Sequence, residues 1–498
     1  MCGILGIYDQ SPPEDFRETC HSLLQRIHYR GPDDEGLKYI RPDGTAWEGR
    51  GPGLFMGHKR LSIIDLSPSG RQPMSNEDKS LWIIFNGEIY NYVEIRKQLT
   101  ALGHKLSSRT DTEVILHGYE TWGYEVLERL RGMFAFCIYD CVHRRFFLAR
   151  DRMGQKPLLY TRGSDFFAFS SELKAFYTYP KVKREVSSQS IHYFLTYQYI
   201  PHRDTIFKEI RKILPGHYAF FDLTTGKFRQ RCYWRPHSHS SDSRPVSHRK
   251  YIEELQGLLE ESIRLRLRSD VPLGVFLSGG LDSSTIAYFT TKLLSTPPNT
   301  FSISFEEQGF DESRYARLVS EKLQTNHHAM TVRSEGIKIL PKLVWLYNEP
   351  FGDSSMIPTY YVSQVTAEKV TVALSGDGGD EVFLGYNRYL LYMTLKSLQN
   401  LFKILPIRVF KIISKFLSYI PFLGRYPGML YNFFSRIQSR EYLDYAHYVV
   451  IANDRLKDDL YTPSFRAQTH PVHAMDLVGR LFKAASKRDI RQAFSSVD

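Results

Sequence analysis

The stretch Val271-Pro272-Leu273-Gly274-Val275-Phe276-Leu277-Ser278-Gly279-Gly280-Leu281-Asp282-Ser283-Ser284 passes from an apolar strand pattern through a glycine turn into a helical one. Glycines at such a junction let backbone N–H groups approach an anion, and the start of the following helix adds its dipole. Asp282 inside the turn suits a Mg²⁺ ion bridging pyrophosphate oxygens. No Gly-x-x-x-x-Gly-Lys-Ser/Thr occurs in the chain, so this is not a γ-phosphate cradle of the Walker kind. A second acidic glycine turn, Ser375-Gly376-Asp377-Gly378-Gly379-Asp380-Glu381, follows an apolar pattern at Val370–Leu374. Strand and helix patterns alternate around these turns: Val271–Leu277 leads into Ser284–Leu294, and Thr300–Phe305 into Ser313–Leu323. That alternation predicts an α/β doubly wound parallel sheet, both turns lying at the carboxyl ends of strands and meeting in one crevice.

Upstream the pattern changes. Strand patterns dominate the first 220 residues, for example Gly3–Tyr8, Leu81–Phe85, Gly132–Tyr139, Arg145–Arg150 and Asp165–Ser170. Helical patterns sit at Glu14–His28, Val93–Leu102 and Glu113–Leu130. Strand pairs without β-α-β alternation predict a layered α+β domain. A Ser-, His- and Pro-rich linker, Arg235 to Pro245, and a long helix from Ser247 to Arg268 separate the two regions. The chain starts Met1-Cys2-Gly3-Ile4-Leu5-Gly6-Ile7. Removal of Met1 would leave Cys2 with a free α-amine beside its own thiol. Ordinary pKa values are about 7.7–8.0 for the amine and about 8.5 for the thiol, so both titrate near working pH. A terminal amine can act as base to the side chain of its own residue.

Composition narrows the classes. With 498 residues, 42% hydrophobic and 24% charged, the chain is globular and too long for one core. Its five cysteines, Cys2, Cys20, Cys137, Cys141 and Cys232, show no metal-like pairing, and Cys137 and Cys141 read as packing thiols. Cys2 already begins a strand pattern, so no leader peptide is expected, and the reading is a reduced, cytoplasmic enzyme. The net charge of +11 is local: Leu391 to Arg440 holds eight basic residues and no Asp or Glu. Between Phe402 and Tyr426, Lys403, Arg408, Lys411 and Lys415 recur every three to five residues among aliphatic ones, and Pro406 and Pro421 interrupt the run. Amphipathic helices packed on a core fit this better than contact with an anionic membrane surface. No nucleic-acid recognition motif accompanies the charge.

Ser278–Ser284 resembles the pyrophosphate loop of ATP pyrophosphatases, which split ATP between the α and β phosphates. Joined to an amino-terminal Met1-Cys2-Gly3-Ile4, it makes the chain similar to the glutamine-hydrolysing asparagine synthetase family over nearly all of residues 1–390. Further motifs follow in order: Arg30-Gly31-Pro32-Asp33, His58 to Asp65, Phe85-Asn86-Gly87-Glu88-Ile89-Tyr90-Asn91, Arg109 to Glu113, and Arg150 to Pro157. The resemblance implies a four-layer αββα Ntn-hydrolase domain for glutamine amidotransfer over residues 2–220. It also implies a linker at 235–248 and, over 249–498, a synthetase domain of the adenine-nucleotide α-hydrolase type with a helical extension.

Roles carry over from these motifs. Cys2 would attack the glutamine amide, with Asn86 and Gly87 as oxyanion hole. Arg60, with Leu61, Ser62, Ile63 and Ile64 around it, would hold the glutamine α-carboxylate, and Glu88 and Asp111 its α-ammonium. Ser278, Gly279, Gly280, Asp282 and Ser283 would hold pyrophosphate. Val275 and Ile303 would border the adenine, with Ser375 and Gly376 beside the nucleotide. Asp282 and Asp380 would hold Mg²⁺. Asp377 stands where many members carry a glutamate that assists adenylation. The implied partners are glutamine, aspartate and ATP, with no nucleic acid and with room for a homodimer. The implied reaction adenylates the aspartate β-carboxylate and transfers ammonia to it through a dry passage.

The pattern also departs from the family. After a segment like Arg488 to Ala493, members show a Leu-Pro stretch, then Lys-Val-Asp-Arg, then Glu-x-Arg-x-Pro-Phe; none follows here, and Ala484 to Arg488 does not match. A C-terminally incomplete synthetase domain is therefore expected. Two alternatives stay open: an amidotransferase of the same architecture that amidates another carboxylate, and a remnant that only hydrolyses glutamine.

Overall fold

Successive residues of the strand Gly3–Asp9 face opposite ways, as a pleated strand requires. Ile4 and Tyr8 pack between two sheets, while Leu5 and Ile7 lie under the helix Phe16–Gln25. The computed structural model describes residues 1–236, 247–305, 313–332, 336–397, 412, 445, 449–452 and 454–469. The basic stretch at 402–426 (Ile412 apart), linker residues 237–246 and the segment at 484–493 lie outside the described residues.

The first sheet orders its six strands Arg211–Lys212, Leu159–Arg162, Phe166–Ser170, Gly3–Asp9, Gly53–Arg60 and Asp34–Ile40. The second runs Phe228–Cys232, His217–Asp222, Arg145–Arg150, Gly132–Asp140, Leu81–Ile89 and Met74–Ser75. Every pairing in both sheets is antiparallel. Met56, Ile84, Cys137, Phe146 and Phe169 fill the space between the sheets, with Cys141 at its edge. On the outer face of the second sheet, Ile83, Phe85 and Phe136 meet Ile95, Leu99 and Val114 from the helices Tyr92–Ala101 and Asp111–Trp122. The layers are thus helix, sheet, sheet, helix. The single helix expected over Glu113–Leu130 is broken. Gly123 takes φ +55 at the end of Asp111–Trp122, a 3-10 turn follows, and a short helix covers Val126–Arg129. Thr110 caps the start, its side chain accepting from Glu113 N at 3.3 Å.

The third sheet is parallel throughout, ordered Asn326–Val332, Asn299–Phe305, Leu273–Phe276 and Val372–Leu374. Strand order therefore reverses between Leu273–Phe276 and Val372–Leu374, which makes the carboxyl ends of those two strands the switch point of a doubly wound sheet. Among the described residues no helix is long and apolar enough to cross a membrane.

By mutual contact the described chain divides into two units. One takes in residues 1–190, 200–236 and 247–376, the other residues 191–199 and the described part of 377–469. The antiparallel sheets and the parallel sheet share the first unit. Inside it, Arg268 grips Glu94 through two bonds of 2.7 Å, Asp270 accepts from Asp65 N at 2.8 Å, and Asn348 donates to Glu172 at 3.0 Å.

Candidate functional site

Register places the first site. Gly3 pairs with Lys59, so Cys2 lies across from Arg60 at the end of the neighbouring strand. Leu61 N lies 3.4 Å from Cys2 Sγ, and Arg30 Nε donates to the Cys2 carbonyl at 3.0 Å. Cys2 opens onto a cleft of about 550 Å³. One wall is Met1, Arg60, Leu61, Ile63 and Ile64; the other is Asn86, Gly87, Glu88 and Asp111. Of the residues expected around glutamine, only Ser62 does not line it, its amide being turned onto Asp33 at 2.8 Å.

Each wall is locally fixed. Arg60 donates to the carbonyls of Ser67, at 2.9 Å, and Asp65. Asp65 takes φ +56, and its carboxylate gathers the amides of Ser67 and Arg109 at 3.1 and 2.8 Å. A Cβ on Gly70 would lie 1.9 Å from Arg60 Nη2, so glycine there leaves the guanidinium its place. On the strand Leu81–Ile89, Phe85 N donates to Gln72 Oε1 at 2.6 Å and Ile89 N to Asp111 Oδ2 at 2.8 Å. Both amides point away from the neighbouring strand Gly132–Asp140. Alternation in an antiparallel ladder turns the Gly87 N–H between them the same way, toward the cleft. A Cβ on Gly87 would lie 2.2 Å from Met133 O. Asn86 beside it is fully buried, and neither its Nδ2 nor its Oδ1 has a hydrogen-bond partner among the described residues.

Burial dominates the electrostatics. It pushes the Cys2 thiol up, with the terminal amine opposing, and pushes that amine, carried by Met1, down to about 5. Burial, then the neighbouring Asp111, raises Glu88 to about 8; burial raises Asp111 to about 6 against the Ile89 N–H. Lys156, 2.9 Å from Met1 Sδ, is lowered to about 8 by burial and then by Arg30. The cleft thus pairs two carboxyls that resist ionising with an amine that resists protonation.

The second site lies at the switch point. The helix Leu281–Leu293 starts inside the glycine turn, three residues before the expected Ser284, because Gly280 is its N-cap and Ser284 N donates to Gly280 O at 3.0 Å. Gly279 takes φ +87, and a Cβ there would lie 2.5 Å from Ala316 N. Ser278 Oγ and Ser283 Oγ are 3.0 Å apart. A Cβ on Gly376 would lie 2.9 Å from Ser283 N, so the two turns meet at Gly376 and Ser283 with room for no side chain. Val275 and Ile303 stand on adjacent strands, and Ser375 follows Val372–Leu374. Asp377 and Asp380 fall in the second unit, where Asp380 belongs to the short helix Gly379–Phe383 and its carbonyl accepts from Gly385 N at 2.9 Å.

Known proteins share this combination. A glutamine amidotransferase domain family matches residues 1–234, and an asparagine synthase family matches residues 254–476. A putative glutamine-hydrolysing asparagine synthetase of Methanocaldococcus jannaschii is 36% identical over 82% of this chain and 80% of its own length. The chain belongs to the glutamine-hydrolysing asparagine synthetase family. Members of that family are ATP-dependent carbon–nitrogen ligases that draw nitrogen from glutamine. The asparagine synthetase 1 of Bacillus subtilis is 35% identical over 80% of this chain, which spans 61% of that relative's length. A Gibberella zeae protein named amidase chry2 is 30% identical over 78% of this chain and 60% of its own. Among solved structures, a glutamine phosphoribosylpyrophosphate amidotransferase from B. subtilis covers 59% of this chain and 64% of its own at 16% identity, with a TM-score of 0.35, too weak a likeness to argue from.

Three residues of this asparagine synthetase family member stand at or beside its two sites without having been singled out by sequence. Gln72 braces Phe85 N and donates to Thr112 Oγ1 at 3.0 Å. Lys156 is set by Asp151, whose carboxylate gathers the amides of Gln155 and Lys156, both at 3.0 Å, and Phe134, at 3.2 Å. The Arg150–Pro157 motif was the available signal for it. Ser284 Oγ, at the end of the Ser278–Ser284 turn, is buried with no partner among the described residues.

Proposed function

We propose that the chain hydrolyses glutamine at Cys2 and passes the ammonia to an aspartate β-carboxylate activated by ATP. The observation that carries the glutamine half is Asn86: a buried amide left without partners beside an inward-facing Gly87 N–H, in the cleft that Cys2 closes. Such preplaced donors suit an oxyanion that exists only during reaction. With Met1 removed, the Cys2 amine accepts the thiol proton as sulfur bonds to the glutamine amide carbon, and the carbonyl oxygen takes the negative charge. Collapse breaks the carbon–nitrogen bond, the amine returns the proton to the leaving nitrogen, and ammonia departs. Water then cleaves the thioester to glutamate and restores the thiol. Arg60 holds the substrate carboxylate, and Glu88 with Asp111 its ammonium.

At the switch point, Ser278, Gly279, Gly280, Ser283 and Ser284 would hold a pyrophosphate, a reading supported by the buried Ser284 Oγ that has no partner among the described residues. Asp282 offers the oxygen ligand that Mg²⁺ prefers and would hold the ion, which would screen phosphate charge. The aspartate carboxylate attacks the α-phosphorus and pyrophosphate leaves; ammonia then displaces AMP. The same reading puts the enzyme in the cytoplasm, a reducing compartment suited to five free cysteines. Mass spectrometry after incubation with glutamine, aspartate and Mg-ATP tests it: asparagine and AMP are expected in equal amounts. Glutamate without either would leave the glutamine half standing and remove the aspartate half.

A further inference from the structure

His104, His117 and Glu120 form a cluster outside both clefts, on the helix Asp111–Trp122 and the loop before it. His104 Nδ1 lies 3.2 Å from His117 Nδ1 and 3.6 Å from Glu120 Oε2, and His117 Nδ1 lies 3.1 Å from Glu120 Oε2. Hydrogen bonds around the cluster decide where the imidazole protons sit. Thr121 Oγ1 donates to the His117 carbonyl at 2.9 Å, so at 2.7 Å it accepts the proton of His104 Nε2. His104 Nδ1 is left with a lone pair. His117 Nδ1 lies 3.1 Å from the Glu120 carboxylate and its Nε2 3.8 Å from Glu113, so without an ion Nδ1 shares a proton with Glu120, which a bound ion would displace. With that proton displaced, three lone pairs converge on one point.

We propose that these three side chains are a binding site for a divalent transition-metal ion of the zinc class. Two imidazole nitrogens and one carboxylate oxygen suit that class. The spacing discriminates the geometry. Metal–ligand bonds of about 2.0–2.1 Å give tetrahedral edges of about 3.3–3.4 Å and octahedral edges of about 2.9 Å. The triangle of ligand atoms, 3.1, 3.2 and 3.6 Å, brackets the tetrahedral value and exceeds the octahedral one throughout. Outer partners are in place: Thr121 behind His104, Glu113 behind His117, and Asn76 Nδ2 donating to Glu120 Oε1 at 3.3 Å. His117 is buried, whereas Glu120 is 37% exposed, so the fourth position opens to water. The ion staples the loop through His104 to the helix whose first residue, Asp111, lines the glutamine cleft.

The test is titration of chelator-stripped, full-length protein with Co²⁺, read by visible absorption, then with Zn²⁺. One Co²⁺ per chain with the intense bands of a tetrahedral site, displaced by one Zn²⁺, is expected. His104→Ala and Glu120→Gln should lose the bands, and Thr121→Val, which frees the His104 tautomer, should weaken binding by about 10–100-fold. Cys2→Ala should keep the bands, which separates this site from a thiol in the cleft. Far-UV circular dichroism checks that each variant is folded. No stoichiometric Co²⁺ binding, or unchanged affinity in folded His104→Ala and Glu120→Gln, would overturn the proposal.

Discussion

Asn86 shows what the cleft at Cys2 costs. A buried polar group without a partner loses about 1–3 kcal/mol of stability, and Asn86 has two such atoms. Asn86→Ala should therefore leave the melting temperature unchanged or higher while lowering kcat for glutamate release by about 10²–10³-fold. A structural asparagine would give the opposite pair of results. Glu88 makes a second prediction. Its carboxyl titrates at about 8 in the free protein, so at pH 7 it is mostly protonated, yet an ammonium group needs it ionised. Glutamine binding should release most of one proton at pH 7 and almost none well above pH 8. Calorimetry in buffers of different ionisation enthalpy reads this directly, and a buffer-independent enthalpy at pH 7 contradicts the assignment. At this scale the sequence was most legible. Cys2, Arg60, Asn86 and Asp111 sit in short motifs whose chemistry is local. Gln72 and Lys156 were not singled out because their roles depend on backbone amides brought in from other strands.

Glycines carry the corresponding argument for whole elements. A methyl on Gly70 would meet only the side-chain guanidinium of Arg60, whereas one on Gly87 would meet the Met133 backbone carbonyl at 2.2 Å. Gly70→Ala should thus fold normally but raise the glutamine KM about tenfold or more, the value of one displaced charge-assisted contact. Gly87→Ala should fail earlier, losing soluble folded protein. Parallel thermal melts and glutamine titrations separate the two. Strand–turn–helix alternation around Ser278–Ser284 was readable because apolar strands and glycine turns are sequence-local signals. Helix ends were less so. Residues 113–130 keep one apolar periodicity across Gly123, and only its positive φ divides them. The start of Leu281–Leu293 was missed because its N-cap is a glycine, which carries no side-chain signature.

Across the first unit, the Cys2 site is wired to the parallel-sheet region through buried charge. Arg30, which holds the Cys2 carbonyl, pairs with Glu172 at 2.7 Å; Glu172 also pairs with Lys174 at 3.1 Å and accepts from Asn348. No sequence motif joins residues 30, 172 and 348, since only the tertiary fold brings them together. Burial would raise the Glu172 carboxyl, but Arg30, Tyr29 and Lys174 outweigh it and hold it below its ordinary value. Its stabilising contribution is therefore complete above the unfolded-chain value of about 4.3 and is lost as pH falls through the lower folded value. Glu172→Gln should lower stability at pH 7 by about 3–5 kcal/mol, by leaving buried cations unpaired, and should flatten the acid side of a melting-temperature profile. An unchanged profile would show that the network does not support the fold. The proposed reaction presumes that Cys2 is the nucleophile, and glutamate release from glutamine tests that most directly. Protein whose mass shows Met1 removed should release glutamate, and the Cys2→Ala variant, folded to the same degree, should release none. Equal release from the two would contradict the account.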